Sequence, residues 1–283
     1  MELRRRMIFR GSAAAFGGRI VRPKDVVFEM PGASALPVSG GRSISRIPRT
    51  DFSGFASFES ASTLAEGLFD DRAGAVALSN HQVREDSLRT TTRVQAEVRR
   101  LTVGRDQRLK IGRLAAELQA HSPGVSGEPP IAPGETTVDA VTIDGFKLRV
   151  ELGVDIFQRY DTHAKLLTAL DDPKFVRSRG QQLFLTTHFE GYPPPPPGGW
   201  RIPLGETIYA TLVRKLEWDG KPAPGVVIDH HSVVVPDFGR IFFGEIRITP
   251  YSRRVTLLRL ELGSDSGGSG GGPDVDTNGS WGP

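Results

Sequence analysis

Four residues in the C-terminal half have the types and the order of a mononuclear iron site. His188 and Glu190 lie two positions apart in a predicted strand, where alternate residues point to the same face of a sheet. His230 follows 40 residues after Glu190, and Arg240 comes ten residues later. Two neutral imidazoles and one carboxylate occupy three coordination positions of Fe(II) and leave the others for substrate and oxygen. The sequence therefore offers a candidate Fe(II) site made of His188, Glu190 and His230.

This order resembles the double-stranded β-helix dioxygenases, which hold Fe(II) through two histidines and one carboxylate and bind 2-oxoglutarate through a downstream arginine. The resemblance implies a non-haem Fe(II)-dependent dioxygenase in which Arg240 is that arginine. The sequence departs from the family pattern at Phe242, where a small residue is expected. Because a His-x-Glu match alone is a weak signal, we keep the dioxygenase as an alternative and favour a solvated strand face that carries His188 and Glu190.

The stretch from Val226 to His231 resembles the apolar strand and Asp-His-His triplet of the DHH phosphoesterases, in which the triplet helps to bind two divalent metals. That family also needs an upstream strand that ends in spaced aspartates. The sequence has no Asp-x-Asp before residue 274, and only 52 residues follow His231. We therefore predict a polar turn at residues 229–231, between two short strands.

The composition excludes several kinds of chemistry. The chain has 283 residues with no Cys, so it forms no disulfide, thiolate metal site or cysteine nucleophile. Its formal net charge of +3 does not indicate a polyanionic partner. The basic stretch at residues 82–115 has no aromatic residue on which a base could stack, so nucleic-acid binding is not expected. No secretion signal is recognised and no apolar run reaches the roughly 20 residues that span a bilayer, so we expect a cytoplasmic protein without a membrane span and leave non-classical export open.

The elements that must position these residues are predicted to be mainly β. Apolar and polar residues alternate along Thr90–Val103, and Asp144-Gly145 is the residue pair that a two-residue hairpin turn prefers. A bulged strand is predicted at residues 108–120, around Gly112. Capping by Thr162 or Asp161 and a stop before Pro173 predict one short helix near residues 162–171. We predict an antiparallel β-sandwich or jelly-roll-like pair of sheets, with further strands at residues 138–143, 146–156, 182–190, 207–218, 226–235, 241–248 and 255–262.

The distribution of Gly and Pro suggests four segments. Residues 1–121 form an N-terminal β-rich lobe, and residues 122–134 form a Pro/Gly-rich connection. Residues 135–262 form a C-terminal antiparallel lobe, and residues 263–283 form a flexible Gly-rich tail that buries too little apolar area to offset its ordering entropy. Whether the two lobes are separate domains stays open.

These patterns favour a non-enzymatic structural or interaction protein whose β-sheet surfaces serve self-assembly or contact with a glycan or protein ligand. Exposed edge strands invite pairing with other copies, so we expect self-association and an oligomer. A carbohydrate-binding module is a further alternative, in which aromatic side chains stack on sugar rings. Its candidate residues are Tyr192, Trp200, Tyr209 and Trp218, for which we prefer burial in the core.

Overall fold

A computed structural model describes residues 8–21, 25–28, 30–70, 89–122, 127–183, 207–263 and 267–280. The described strands are β1 (Phe9–Ala14), β2 (Gly17–Ile20), β3 (Val26–Phe28), β4 (Ala33–Ala35), β5 (Gly41–Ile47), β6 (Thr50–Phe52), β7 (Ala56–Phe58), β8 (Ser60–Phe69), β9 (Thr90–Val103), β10 (Leu109–Ser122), β11 (Ile131–Pro133), β12 (Thr137–Asp139), β13 (Val141–Ile143), β14 (Phe146–Leu152), β15 (Ile208–Thr211), β16 (Val213–Trp218), β17 (Val227–Asp229), β18 (Ser232–Val235), β19 (Gly239–Thr249), β20 (Ser252–Leu262), β21 (Gly268–Gly271) and β22 (Asp274–Ser280). The described helices are α1 (Asp155–Arg159), α2 (His163–Leu170) and α3 (Pro173–Leu183).

The strands form two antiparallel sheets of eleven strands each, which confirms the predicted mainly-β sandwich. Sheet A contains β1 to β4, β15 and β17 to β22, and sheet B contains β5 to β14 and β16. Both sheets draw strands from both predicted lobes. Strand β10, which ends at the first residue of the Pro/Gly-rich connection, pairs with β11, which lies within the connection, and with β12 and β13, which follow it. The connection therefore joins neighbouring strands of one sheet.

The core lies between the sheets, where β1, β20 and β22 of sheet A pack on β8 to β10 of sheet B. Along β9 the alternation predicted from sequence is observed, since Val94, Ala96 and Val98 are buried and the residues between them are half-buried. Strand β1 lies so close to β9 that a Cβ at Gly11 would come 2.7 Å from a methyl of Val94. This close approach explains a glycine in the middle of a strand.

Two local predictions about sheet B can be compared with the structure. The hairpin between β13 and β14 turns at Asp144 and Gly145, both with positive φ (51° and 83°), as a primed two-residue turn requires. At Gly112 the ladder between β9 and β10 is interrupted opposite Arg100, but its register is the same on both sides. The predicted bulge at Gly112 is therefore wrong, because no residue is inserted; Arg100 accommodates the irregularity with a φ of 51°.

The helical region is larger than predicted. Helix α2 spans His163–Leu170 and is capped by the hydroxyl of Thr162, which accepts a hydrogen bond from the Lys165 backbone at 3.2 Å. The other two helices were not predicted: α1 shortens the expected strand at residues 146–156, and α3 occupies the start of the strand expected at 182–190, the rest of which lies outside the described residues. Over the described ranges, no helix is long and apolar enough to cross a membrane.

The predicted flexible tail contains two strands of sheet A. Strand β22 pairs with β1 on one side and β20 on the other, and β21 pairs with β20 and β2. Val275 and Thr277 are fully buried. Amino-acid composition underestimates the order of such a segment. Its backbone forms hydrogen bonds to strands on both sides, and burial of Val275 and Thr277 adds stabilisation that glycines cannot supply.

Candidate functional site

The predicted iron ligands fall only partly within the described residues. His188 and Glu190 lie outside them. His230 is exposed in the two-residue turn between β17 and β18, with a φ of 54°. Arg240, in β19, forms an ion pair with Asp229 of β17. In the ranges that the structure describes, no three His, Asp or Glu side chains are grouped so as to hold a metal ion. The Fe(II) set of His188, Glu190 and His230 therefore stays a prediction.

The neighbouring histidine, His231, which the sequence placed in a polar turn, is buried and lies in a partly buried polar cluster. We call His231, Phe242, Glu245 and Arg259 the Glu245 cluster. Arg259 donates to both carboxylate oxygens of Glu245, at 2.7 and 2.9 Å, and its guanidinium carbon lies 3.6 Å from the centre of the Phe242 ring. Nε2 of His231 lies 3.6 Å from Glu245 Oε1, and His231 is 1% exposed. The cluster thus ties the β17–β18 hairpin to β19 and β20.

The electrostatics of the Glu245 cluster favour a structural role. Burial lowers the pKa of Arg259, but the hydrogen bonds and negative charges of Glu245 and Glu261 together outweigh burial, so that this pKa is raised. A carboxylate that is neutralised by a bidentate guanidinium is a weak proton acceptor. The stacking of Arg259 on Phe242 fixes the same guanidinium from its other side. The cluster is therefore suited to hold three elements together.

A second polar group lies at the start of β9. The Thr91 hydroxyl donates to Asp70 at 2.6 Å and lies 3.2 Å from Nδ1 of His121. These are the residue types of a hydroxyl nucleophile with a base. A hydroxyl has one proton to donate, however, and the short contact assigns it to Asp70. Because the Thr91 hydroxyl donates its hydrogen bond to Asp70, it is not poised as a nucleophile and serves as a link between neighbouring parts of sheet B.

The two described aromatic residues that were considered for sugar stacking do not form an exposed surface together. Tyr192 and Trp200 lie outside the described residues. Tyr209 in β15 and Trp218 in β16 belong to different sheets, and both are half-buried. Trp218 packs against the hydrophobic core, as preferred from the sequence. The carbohydrate-binding alternative stays a prediction without a described surface that favours it.

The outer face of sheet B carries rows of paired charges. Arg93 of β9 binds Glu117 of β10 at 2.8 Å. Arg113 of β10 binds Glu97 of β9 at 3.2 Å and Glu135 at 2.6 Å. Burial raises the pKa of Glu97, but the hydrogen bonds and positive charges of Arg113 and Arg99 together outweigh burial and hold this pKa below its ordinary value. Within the described part of the basic stretch, these two arginines are thus paired with acids on adjacent strands.

One end of this face is different. Strand β5 pairs with β8, and among the described residues no strand hydrogen-bonds to the backbone groups along its second side, which we call the open side of β5. We call the exposed row Arg42, Ile44 and Arg46 the basic edge. Ile44 is 46% exposed. Arg42 contacts Glu66 of β8 at 3.4 Å, whereas none of the described carboxylates pairs with Arg46.

The basic edge borders a shallow depression of about 160 Å³. Its lining combines cationic, apolar and hydrogen-bonding groups: Arg42, Ile44, Arg46, Ser62, Thr63, Leu64 and Gln95. Cross-strand pairing of Ile44 with Leu64 forms its apolar floor. The sequence signal was available, since Arg42, Ile44 and Arg46 alternate, but it did not show that β5 would be an edge strand.

Comparison with known proteins identifies a family and no characterised relative. No curated protein and no solved structure matches the chain. The sequence model of one family matches residues 7–249, which include β1 to β19 and the three described helices. Since the match covers most of the chain, the protein belongs to the family described as Domain of unknown function (DUF8256).

Proposed function

We propose that the chain is a non-enzymatic interaction protein, which binds another polypeptide through the open side of β5. The observation that carries the proposal is the basic edge: a seven-residue strand that pairs with one described strand, β8, and has an exposed row of side chains beside a depression. An extended peptide that adds to such an edge gains main-chain hydrogen bonds, and alternate side chains give specificity.

The surrounding structure supports this use of β5. Strand β8, on which β5 is built, is ten residues long and pairs with β9 along its whole length. The edge is therefore held by a long, well-paired support and need not reorganise when a strand is added, which lowers the entropic cost of binding.

Hydrogen exchange with a selected peptide tests the proposal. Peptides are selected against the purified protein from a displayed random library. We expect bound peptides to slow amide exchange in residues 41–47, because strand addition protects backbone N–H groups on the open side. Ile44→Lys should weaken this binding, since it removes the apolar centre of the row. Leu167→Lys is the matched control, because Leu167 is also an exposed apolar residue but lies in helix α2, away from β5. A library that yields no peptide able to protect residues 41–47 contradicts the proposal.

Self-association is a second form of the same function. It is favoured at the end of sheet A, where β17 pairs with β18 alone among the described strands. Val227 of β17 is 58% exposed and lies opposite Val234, which is 37% exposed. We expect light scattering to show an oligomer that Val227→Lys dissociates. A single monomer mass for the wild-type protein would count against this form.

A further inference from the structure

The basic edge also indicates the chemistry of its partner. Resting on the proposed function, we infer that β5 binds an extended segment of a different protein in which two acidic residues flank an apolar residue at alternate positions, in the pattern acid-x-apolar-x-acid. Such a segment would add a strand to sheet B beyond β5.

The acid-x-apolar-x-acid pattern follows from the two-residue period of side chains along a β-strand. Successive side chains alternate between faces, so Arg42, Ile44 and Arg46 lie in one row on the outer face. Directly opposed residues on paired strands have Cβ atoms about 4.5–5.5 Å apart, close enough for ion pairs and apolar contacts. An acid opposite each arginine and an apolar residue opposite Ile44 matches all three positions at once.

The neighbouring strands leave this positive charge available. Farther into sheet B each described arginine of β9 and β10 has a glutamate partner, as shown for Arg93 and Arg113. At the edge, Glu66 is the one described carboxylate that pairs with the row, and within the row it contacts Arg42. A carboxylate supplied by a partner strand opposite Arg46 would complete the alternation that the rest of the face already shows.

A second copy of β5 fits the edge less well. In a two-fold antiparallel pairing centred on Ile44, each Arg42 would lie opposite Arg46 of the other copy. Like charges directly opposite each other destabilise a strand pair. The basic edge therefore disfavours pairing with the basic edge of a second copy and favours a partner strand with acidic residues.

Labelled synthetic peptides test the charge pattern directly. The probe peptide has Glu-Thr-Val-Thr-Glu at its centre. The control peptide has Thr-Glu-Val-Glu-Thr, which keeps the composition but places the acids on the face opposite the valine. We expect the probe to bind more tightly and to protect residues 41–47 from exchange. Arg46→Glu should weaken its binding by about tenfold, since an exposed charge attraction becomes a repulsion.

A charge exchange separates specific pairing from general attraction. Arg46→Glu should recover binding with a peptide that carries one Lys in place of one of the two Glu residues, tested at each end. Lys110→Glu is the matched control: Lys110 is exposed on β10, which is paired on both sides, so the same change in net charge should leave probe binding unaltered. Equal weakening by Lys110→Glu would overturn the inference, because it would show attraction to net charge alone.

Each remaining outcome has a definite meaning. If both peptides protect residues 41–47 equally, the charge pattern is refuted while strand addition at β5 stands. If no peptide protects those residues, both the inference and the proposed function fail. A wild-type dimer protected at residues 41–47 that Arg46→Glu strengthens would show that the partner is a second copy. If an oligothymidylate binds more tightly than the probe peptide and loses this binding in Arg46→Glu, the site binds nucleic acid and the inference is overturned.

Discussion

Replacement of Arg253 should show how the helices are fixed to sheet A. Arg253 lies in β20 and is 2% exposed. Its guanidinium donates to the carbonyl oxygens of Phe157, at 2.9 Å, and Tyr160, at 2.6 Å, so it binds the C-terminal end of α1. Burial lowers the pKa of Arg253 to about 10, although the charges of Glu128 and Asp161 oppose this. The side chain therefore makes two hydrogen bonds at a considerable desolvation cost.

These opposing effects can be compared in size. Two buried carbonyls without a donor cost about 1–3 kcal/mol each. Removing the buried charge relieves about 3 kcal/mol, the equivalent of its lowered pKa. The two effects nearly cancel in Arg253→Met, which keeps most of the volume, so we expect a loss of about 1 kcal/mol in the free energy of unfolding. Arg253→Ala also leaves a cavity, which adds about 2–4 kcal/mol, so we expect a loss of about 4 kcal/mol.

Urea unfolding followed by circular dichroism measures both variants, and hydrogen exchange locates the effect. The loss should be accompanied by faster exchange in residues 155–170, the segment that Arg253 holds. Arg254→Ala is the matched control. Its side chain is 48% exposed and pairs with Asp274, so it should lower the free energy of unfolding by less than about 1 kcal/mol. A methionine variant as unstable as the alanine variant would refute the assignment of most of the loss to the cavity.

Three further predictions concern single positions. Burial raises the pKa of Asp276, so its contribution to stability is lost as pH rises through that pKa; Asp276→Asn should raise the melting temperature at pH 7, and the gain should vanish in acid. Burial raises the pKa of Glu97, but the hydrogen bonds and charges of Arg113 and Arg99 together lower it, so its stabilisation is present at pH 7 and lost as pH falls through the lowered value. Glu97→Gln should therefore cost about 1 kcal/mol at pH 7 and almost nothing near pH 3, as measured by urea unfolding at both pH values. Gly239 has a φ of 130°, and a Cβ there would overlap backbone of β20, so Gly239→Ala should cost more than about 1 kcal/mol in the same assay.

The elements that could be predicted from sequence are those whose signals are local. Strand β9 was predicted with the observed bounds because its alternation is long and regular. The Asp144-Gly145 hairpin and the Thr162-capped helix depend on residues adjacent to the turn or the cap. In each case the determining contacts lie within a few positions, so one stretch of sequence contains the information.

The elements that were not predicted depend on distant partners. Residues 207–218 read as one strand, yet the chain passes from sheet A to sheet B at Leu212. The Leu212 backbone donates to Gly244 at 2.6 Å and accepts from Gly153 at 2.7 Å. Those partners are more than 30 and more than 50 residues away, so the break has no local signal. The same holds for β5, whose edge position depends on which strands pair with β8.

The two adjacent histidines show how turn geometry decides what a residue can do. Asp229 and His231 flank His230, and in extended chain they would share a face by alternation. The positive φ of His230 turns the chain there and leaves its imidazole in solvent, while His231 is buried against Phe242. A metal site at His230 would therefore have to be completed from the solvent side by other segments. The buried imidazole lies instead beside a carboxylate that Arg259 already neutralises, where packing of the hairpin is the better supported role.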